Sequence, residues 1–198
     1  MQDMTNGHTS SRKRTKALPS RGFTLVELLY VVVLISILAG FAAPFIDVSR
    51  FRMNSAVVEV ATELMAAQRY AVLRGHDVVV AFDEENRWLR VHLDANNDGM
   101  VQSQENTRVA QLGEGVSFGR APGPTISPST EIVTFTQSQG EFKSLTFHRN
   151  GSASEAGLVY LTPTRGARPK GNRALQVIRS TAKVKCWSFS TENWQETC

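Results

Sequence analysis

The sequence predicts an α+β protein in which a long N-terminal helix packs on an antiparallel β-sheet head. Three observations support this prediction: a basic segment that leads into a long apolar run, an amphipathic helical stretch, and a following series of short strands. They divide the 198 residues into four parts. These are a leader peptide (1–22), a transmembrane helix that also serves as assembly segment (23–46), an amphipathic helix (47–75) and a β-rich head (76–198).

The positive net charge of +4 belongs to the leader. Five of the 22 basic residues and one of the 18 acidic residues precede residue 23, which leaves 17 of each in the rest of the chain. Since the body is neutral, the total charge gives no argument for binding to nucleic acid.

The apolar run 23–46 approaches the ~20 residues that span a bilayer, and the basic residues before it place the N-terminus in the cytoplasm. Glu27 is unexpected there, because an ionisable group at membrane depth usually has a function. A secretory signal peptide would be cut after small residues such as Ala43, but Pro44 is an awkward neighbour for a peptidase. A simple signal anchor explains the apolar run and leaves Glu27 without a role.

Residues 22–27, Gly-Phe-Thr-Leu-Val-Glu, resemble the cleavage site of type IV prepilins and type II secretion pseudopilins. The resemblance implies that a dedicated inner-membrane peptidase cuts after Gly22 and methylates the new terminus at Phe23. It also implies that Glu27, then the fifth residue, pairs with the terminal amine of a neighbouring subunit during assembly. Pro44 matches a proline that often bends the helix in this family.

Helix and strand patterns follow the apolar run. In the amphipathic helix, apolar residues recur at helical spacing and Gly75 is a suitable end; they are Val57, Val60, Ala61, Leu64, Ala67 and Ala71. Strands are predicted at 76–83 and 87–94, joined as a hairpin, and then at 107–112, 131–136, 142–148, 157–161, 174–180 and 183–189. The Pro- and Gly-rich segment 119–129 is predicted to be an exposed loop.

The segments 145–161 and 174–186 are similar to the head of the GspH/FimT family of minor pilins and pseudopilins. This resemblance implies a pilin-like fold and a non-catalytic assembly or tip subunit, anchored in the bacterial inner membrane with its head in the periplasm. Its expected partners are other pseudopilins or minor pilins and the prepilin peptidase. Both a type II secretion pseudopilus and a type IV pilus remain open.

Residues 94–105 have the spacing of a calcium-binding loop, with oxygen-bearing side chains at Asp94, Asn96, Asp98 and Glu105 and a glycine at the sharp turn. The flanks are strands, however, whereas an EF-hand has helices. The alternative is a polar hairpin loop closed by the turns that Asp and Asn form unaided. Calcium is the only cofactor that the sequence suggests.

Cys186 and Cys198 are the only two cysteines. A head in the oxidising periplasm favours a disulfide between them, which would stabilise the fold by roughly 3 kcal/mol. Two free thiols are the alternative.

A basic stretch near the C-terminus raises the possibility of a DNA-binding pilin, since the interval 156–191 holds seven basic residues and no acid. DNA-binding members of the family carry a Gly-Arg-x-Arg motif near this point, where this chain has Ala-Lys-Val-Lys at 182–185. Lysine lacks the planar fork of arginine, so we expect weak, salt-dependent binding at most. A solvated face, or a patch that meets acidic neighbours in the fibre, is the alternative. The candidate residues are Arg173, Arg179, Lys183 and Lys185.

The sequence predicts no enzyme. The four histidines are scattered, and no serine or cysteine has an evident base partner.

Overall fold

The computed structural model describes residues 23–42, 48–100, 102, 104–190 and 192–198. The chain forms two compact units, Met1–Ile46 and Asp47–Cys198. The predicted leader, the cleavage residue Gly22 and the kink residue Pro44 lie outside the described residues.

In the first unit, helix α1 extends over the 18 residues Leu25–Ala42. Its N-terminus is capped by Thr24, whose Oγ1 accepts a hydrogen bond of 3.2 Å from the backbone N–H of Glu27. Among the described helices, none is both long and apolar enough to cross a membrane.

In the second unit, helix α2 (Val48–Arg74) buries one face. Apolar side chains at intervals of three and four residues line up on that face, as the amphipathic pattern predicts. The helix ends before Gly75, which has a φ of +71° and donates a 3.0 Å backbone hydrogen bond to Ala71. The buried residues of α2 are Met53, Ala56, Val57, Val60, Ala61, Leu64, Ala67 and Ala71.

In the described residues, ten strands form two antiparallel five-stranded sheets, in the orders β3-β2-β1-β6-β5 and β10-β9-β8-β7-β4. The first sheet contains β1 (Asp77–Asp83), β2 (Trp88–Asp94), β3 (Thr107–Gln111), β5 (Ser138–Gln139) and β6 (Phe142–Phe147). The second contains β4 (Val116–Phe118), β7 (Gly157–Pro163), β8 (Arg173–Val177), β9 (Val184–Phe189) and β10 (Trp194–Glu196).

The main core lies between α2 and the sheets, since α2 contacts β1 and β6 of the first sheet and β4, β7, β8 and β9 of the second. Phe82 and Phe135 stack there, with ring centroids 5.6 Å apart. At Gly157 the backbone approaches this stack so closely that a Cβ would lie 2.5 Å from the Phe135 ring. The α+β prediction is confirmed by a helix on an antiparallel head.

One predicted strand is wrong. Residues 131–136 contribute only an isolated bridge, Val133 to Val159, instead of a strand. The segment is extended and bonded to β7 irregularly, through backbone bonds from Thr134 to Leu158 and from Tyr160 to Ile132. The short strands β4, β5 and β10 were not predicted, because two or three residues give too little alternation to recognise.

Candidate functional site

The start of α1 presents the residues that the cleavage motif singles out. Phe23 is 81% exposed, and Glu27 is exposed in the first turn as the only charged side chain of the helix. A carboxylate in the first turn is favoured by the positive end of the helix dipole. Thr24 and Glu27 also fit a capping box, a signal that identifies Thr24 as the helix cap. The motif residues therefore have a local structural role in addition to any role in processing.

The surface of α1 is apolar on every side. Its large apolar residues are 41 to 80% exposed, from Leu34 to Leu25. A helix with no polar face is stable only when lipid or other protein surfaces cover it. Within the described residues, the large apolar side chains of α1 remain exposed.

In the predicted calcium loop (94–105), the carboxylates of Asp94 and Asp98 accept hydrogen bonds from other groups of the same loop. Asp94 accepts hydrogen bonds from the backbone N–H groups of Asp98 and Gly99, at 3.0 and 2.7 Å. The Asp98 carboxylate is held by Met100, Asn96 and Gln102, at 2.7 to 2.8 Å. Within the described residues, no group of three or more His, Cys, Asp or Glu side chains is arranged to hold a metal ion. Asn96 and Asp98 each accept a hydrogen bond from the backbone N–H two residues further on, at 3.1 and 2.8 Å, as in the Asx turns of a polar hairpin loop.

Glu105, the last predicted calcium ligand, belongs to a buried polar network that the sequence did not suggest. Its Oε2 lies 2.7 Å from Nε2 of His92, whose Nδ1 lies 3.0 Å from the Gln139 amide. His92 is fully buried. The hydrogen bond from His92, and backbone bonds from Ala95 and Gln102, hold the pKa of Glu105 below its usual value. The pKa of Asp98 is lowered chiefly by its hydrogen bond from Met100.

The four predicted DNA-binding residues do not form one patch. Arg173 is buried at 8% exposure on the side of β8 that faces α2. Lys185 lies on the opposite face of the sheet, over the Trp187 ring, and its charge is paired with Glu196 at 2.8 Å. Arg179 and Lys183 are exposed in and beside the β8–β9 turn. Since phosphate backbones are bound by clustered positive charge, this separation gives the DNA interpretation no support.

Cys186 and Cys198 are joined by a disulfide, with their Cα atoms 5.1 Å apart. The predicted pairing is confirmed, and no cysteine is left free. The bridge ties the end of the chain to strand β9, beside the β9–β10 pair. This pairing is typical of proteins in oxidising compartments.

His148 and Asp77 form a second histidine–carboxylate pair, with 2.7 Å between Nδ1 and Oδ2. His148 lines a surface cavity together with three serines, Ser152, Ser154 and Ser180. The Ser152 hydroxyl donates to Asn150, and the Ser154 hydroxyl accepts from the backbone of Thr146. Ser152 also contacts His148 through the backbone, since its carbonyl accepts a 2.8 Å hydrogen bond from the His148 N–H.

Comparison with known families gives two matches. Residues 19–43 match the prokaryotic N-terminal methylation motif. Residues 56–182, more than half of the chain, match the family described as type II transport protein GspH. The comparison with curated proteins gave no significant match.

Among solved structures, the chain is similar to two structures of EpsH, a minor pseudopilin from the type 2 secretion system of Vibrio cholerae. One shares 14% identity with a TM-score of 0.46, covering 69% of this chain and 97% of the other. The second shares 15% identity with a TM-score of 0.49, covering 73% and 99%.

Proposed function

The chain belongs to the family of the type II transport protein GspH, and we propose that it works as a minor pseudopilin of a type II secretion system. The observation that carries the proposal is the order of the two family matches, a methylation motif at 19–43 followed by the GspH region at 56–182. In this role the protein is a non-catalytic subunit that assembles with other pseudopilins. No cofactor is part of the proposal.

Processing at the N-terminus comes first in the proposed sequence of events. The prepilin peptidase cuts between Gly22 and Phe23 and methylates the amine of Phe23. The exposure of Phe23 and of the first turn of α1 supports this order, because a peptidase must reach both the bond and the new terminus.

Assembly then covers α1. In the inner membrane its apolar surface is shielded by lipid, and in the pseudopilus by helices of neighbouring subunits. We propose that Glu27 accepts an ion pair from a neighbour's terminal amine, which satisfies both charges where water is excluded. The head faces the periplasm in this arrangement, and the Cys186–Cys198 disulfide is consistent with that compartment.

Deletion of the gene in the source bacterium tests the function. We expect the deletion to abolish release of the secreted enzymes into the medium, and the wild-type gene on a plasmid to restore it. The same strains are assayed for uptake of transforming DNA, which we expect to be unchanged. Intact secretion combined with lost DNA uptake would reject the proposal in favour of a DNA-uptake pilin.

A further inference from the structure

The first sheet ends on one side in a free strand, β3. The edge strands of the two described sheets are β3, β4, β5 and β10, and β3 is the longest, with five residues against two or three in the others. Four of its five residues are exposed, and Val109 at its centre is 57% exposed. No part of the function proposed above uses this edge.

The register of β3 shows which of its backbone groups are unpaired. Asn106 accepts a 2.9 Å backbone hydrogen bond from β2, and Leu112 donates one of 2.8 Å to the residue before β2. In an antiparallel pair such bonds recur at every second residue, so those of β3 fall on its even-numbered residues. Three residues therefore direct their backbone N–H and C=O groups away from β2, and within the described chain these groups have no hydrogen-bond partner. They are Thr107, Val109 and Gln111.

Within the described residues, β3 has none of the usual protections of a free edge. Proteins commonly block such an edge with a proline, a bulge or a charge. The strand contains no proline, and it pairs with β2 in unbroken register. Its one charged residue, Arg108, is ion-paired with Glu63 of α2. The edge is therefore open to a further strand.

An apolar groove of about 450 Å³ lies between this edge and α2. Ala66 and Tyr70 line it on the helix, and Val91 lines it on β2. Arg108 is the one charged residue among the described residues of the lining, and Glu63 compensates its charge. Since the groove offers no free charge, it favours uncharged, apolar side chains.

We propose that the edge of β3 and this groove together bind an extended strand of another protein, with apolar side chains at alternate positions. Main-chain hydrogen bonds to the outward residues Thr107, Val109 and Gln111 hold the strand, as in other cases of strand addition. Strand residues opposite Asn106 and Arg108 point to the side of the sheet where the groove lies, because these two residues line it. The edge provides affinity, and the groove selects for apolar side chains.

A second copy of β3 does not fill the groove. An antiparallel pair of β3 strands centred on Val109 places the copy's Ala110 opposite Arg108 and the copy's Leu112 opposite Asn106. Alanine is too short to fill the groove, and Leu112 is only 5% exposed because it is buried in its own head. The occupant is therefore a strand of different sequence.

Fluorescence anisotropy with the purified full-length protein in a maltoside detergent tests the proposal. The probe is a labelled, capped heptapeptide in which valine alternates with threonine between terminal lysines. Two isomers of this peptide are the controls, one with N-methyl groups on both threonines and one with them on two valines. The isomers partition similarly into detergent. In an antiparallel pair, however, only the threonine N–H groups face β3 when the valines face the groove.

We expect saturable binding of one peptide per chain. The valine-methylated isomer should bind as the parent peptide does, and the threonine-methylated isomer should not bind. Equal binding of the two isomers, or no saturable binding of the parent peptide, overturns the proposal.

Val109→Pro tests the edge of the protein. The N–H group that proline removes points away from β2, and proline is tolerated on edge strands, so the unfolding midpoint should change little. The Kd for the peptide should rise about tenfold or more, through the lost hydrogen bond and the bulk of the ring. The matched control Val109→Ala keeps the N–H group and should change the Kd by less than about threefold. Equal effects of the two substitutions contradict pairing at this edge.

Ala66→Phe tests the groove. Ala66 is an exposed residue of α2, so the larger side chain leaves the core intact and occupies the groove instead. We expect peptide binding to weaken about tenfold. The control Val58→Phe alters an exposed residue of the same helix outside the groove and should bind as the wild type does. Unchanged binding in Ala66→Phe overturns the role of the groove.

Analytical ultracentrifugation without peptide tests the other occupant, a second copy of this chain. We expect the wild type, Val109→Pro and Val109→Ala to sediment alike. A dimer that is kept in Val109→Ala but lost in Val109→Pro would identify a second copy as the occupant and reject a strand of another protein. Because all these measurements use purified protein, they succeed or fail independently of the secretion assay.

Discussion

The two described helices differ in the exposure of their apolar side chains. Helix α2 directs eight apolar residues into the head and buries them to 6% exposure or less. Helix α1 is more apolar, yet it exposes its large residues on every side. The polar face of α2 shows that its partner is its own head, whereas α1 has no polar face and no partner within the described chain.

This difference separates folding from assembly. The buried face of α2 stabilises the head, and in the proposed function the surface of α1 is what the folded protein offers to other subunits. A substitution in one helix should therefore affect one property and leave the other unchanged.

The largest expected effect is on assembly. Glu27→Gln removes the charge proposed to pair with a neighbour's amine while it retains the shape of the side chain. Breaking a buried ion pair costs ~3–5 kcal/mol, so we expect incorporation into pseudopili to fall by more than about tenfold. The measurement is the amount of the protein that copurifies with sheared pseudopili.

The control for that experiment is Glu59→Gln, which alters an exposed carboxylate of α2. It should assemble normally, and both variants should unfold with the wild-type midpoint. Normal incorporation of Glu27→Gln would contradict the role assigned to this residue.

The second effect is on stability. Leu64 is fully buried in the core under α2, whereas Leu73 is 81% exposed on the same helix. Leu64→Ala should lower the free energy of unfolding by about 2–5 kcal/mol through lost burial and a cavity. Leu73→Ala should lower it by less than about 0.5 kcal/mol. Urea unfolding of both variants measures the difference, and equal values would refute the assignment of the buried face.

The smallest expected effect is on the stability of the protein at acid pH. Glu105 and Asp98 have pKa values below their usual range, so their contribution to stability is fully present above the ordinary carboxyl pKa of about 4. That contribution is lost as pH falls through the lowered values. The unfolding midpoint of the wild type should fall as the pH is lowered from about 5 to about 3. In Glu105→Gln this fall should be smaller, because the variant has no carboxylate to protonate at this position. The exposed control Glu85→Gln should keep the wild-type slope, and identical slopes for all three proteins would disprove this contribution of Glu105.

Most of the head could be predicted from the sequence where a pattern repeats. The spacing of apolar residues in α2 identified its buried face, and Gly75 marked its end. The pair Cys186 and Cys198 followed from their number and the expected compartment. These features are local or rest on composition, which a single sequence records directly.

The remaining features depend on contacts between distant residues. Arg173 was predicted to be part of a basic DNA-binding surface, but β8 directs it towards Asn54 and Arg50, more than a hundred residues away in sequence. No local sequence pattern indicates that His92 is hydrogen-bonded to Gln139. Charge counted along a chain does not show which face of a sheet each residue occupies.

The most direct test of the central claim is the mass of the mature N-terminus. Protein isolated from the source bacterium is digested, and its N-terminal peptide is sequenced by mass spectrometry. Processing as a pseudopilin predicts a chain that begins at Phe23 and carries one methyl group on the terminal amine. An intact leader, or a chain that begins at Pro44, would contradict it.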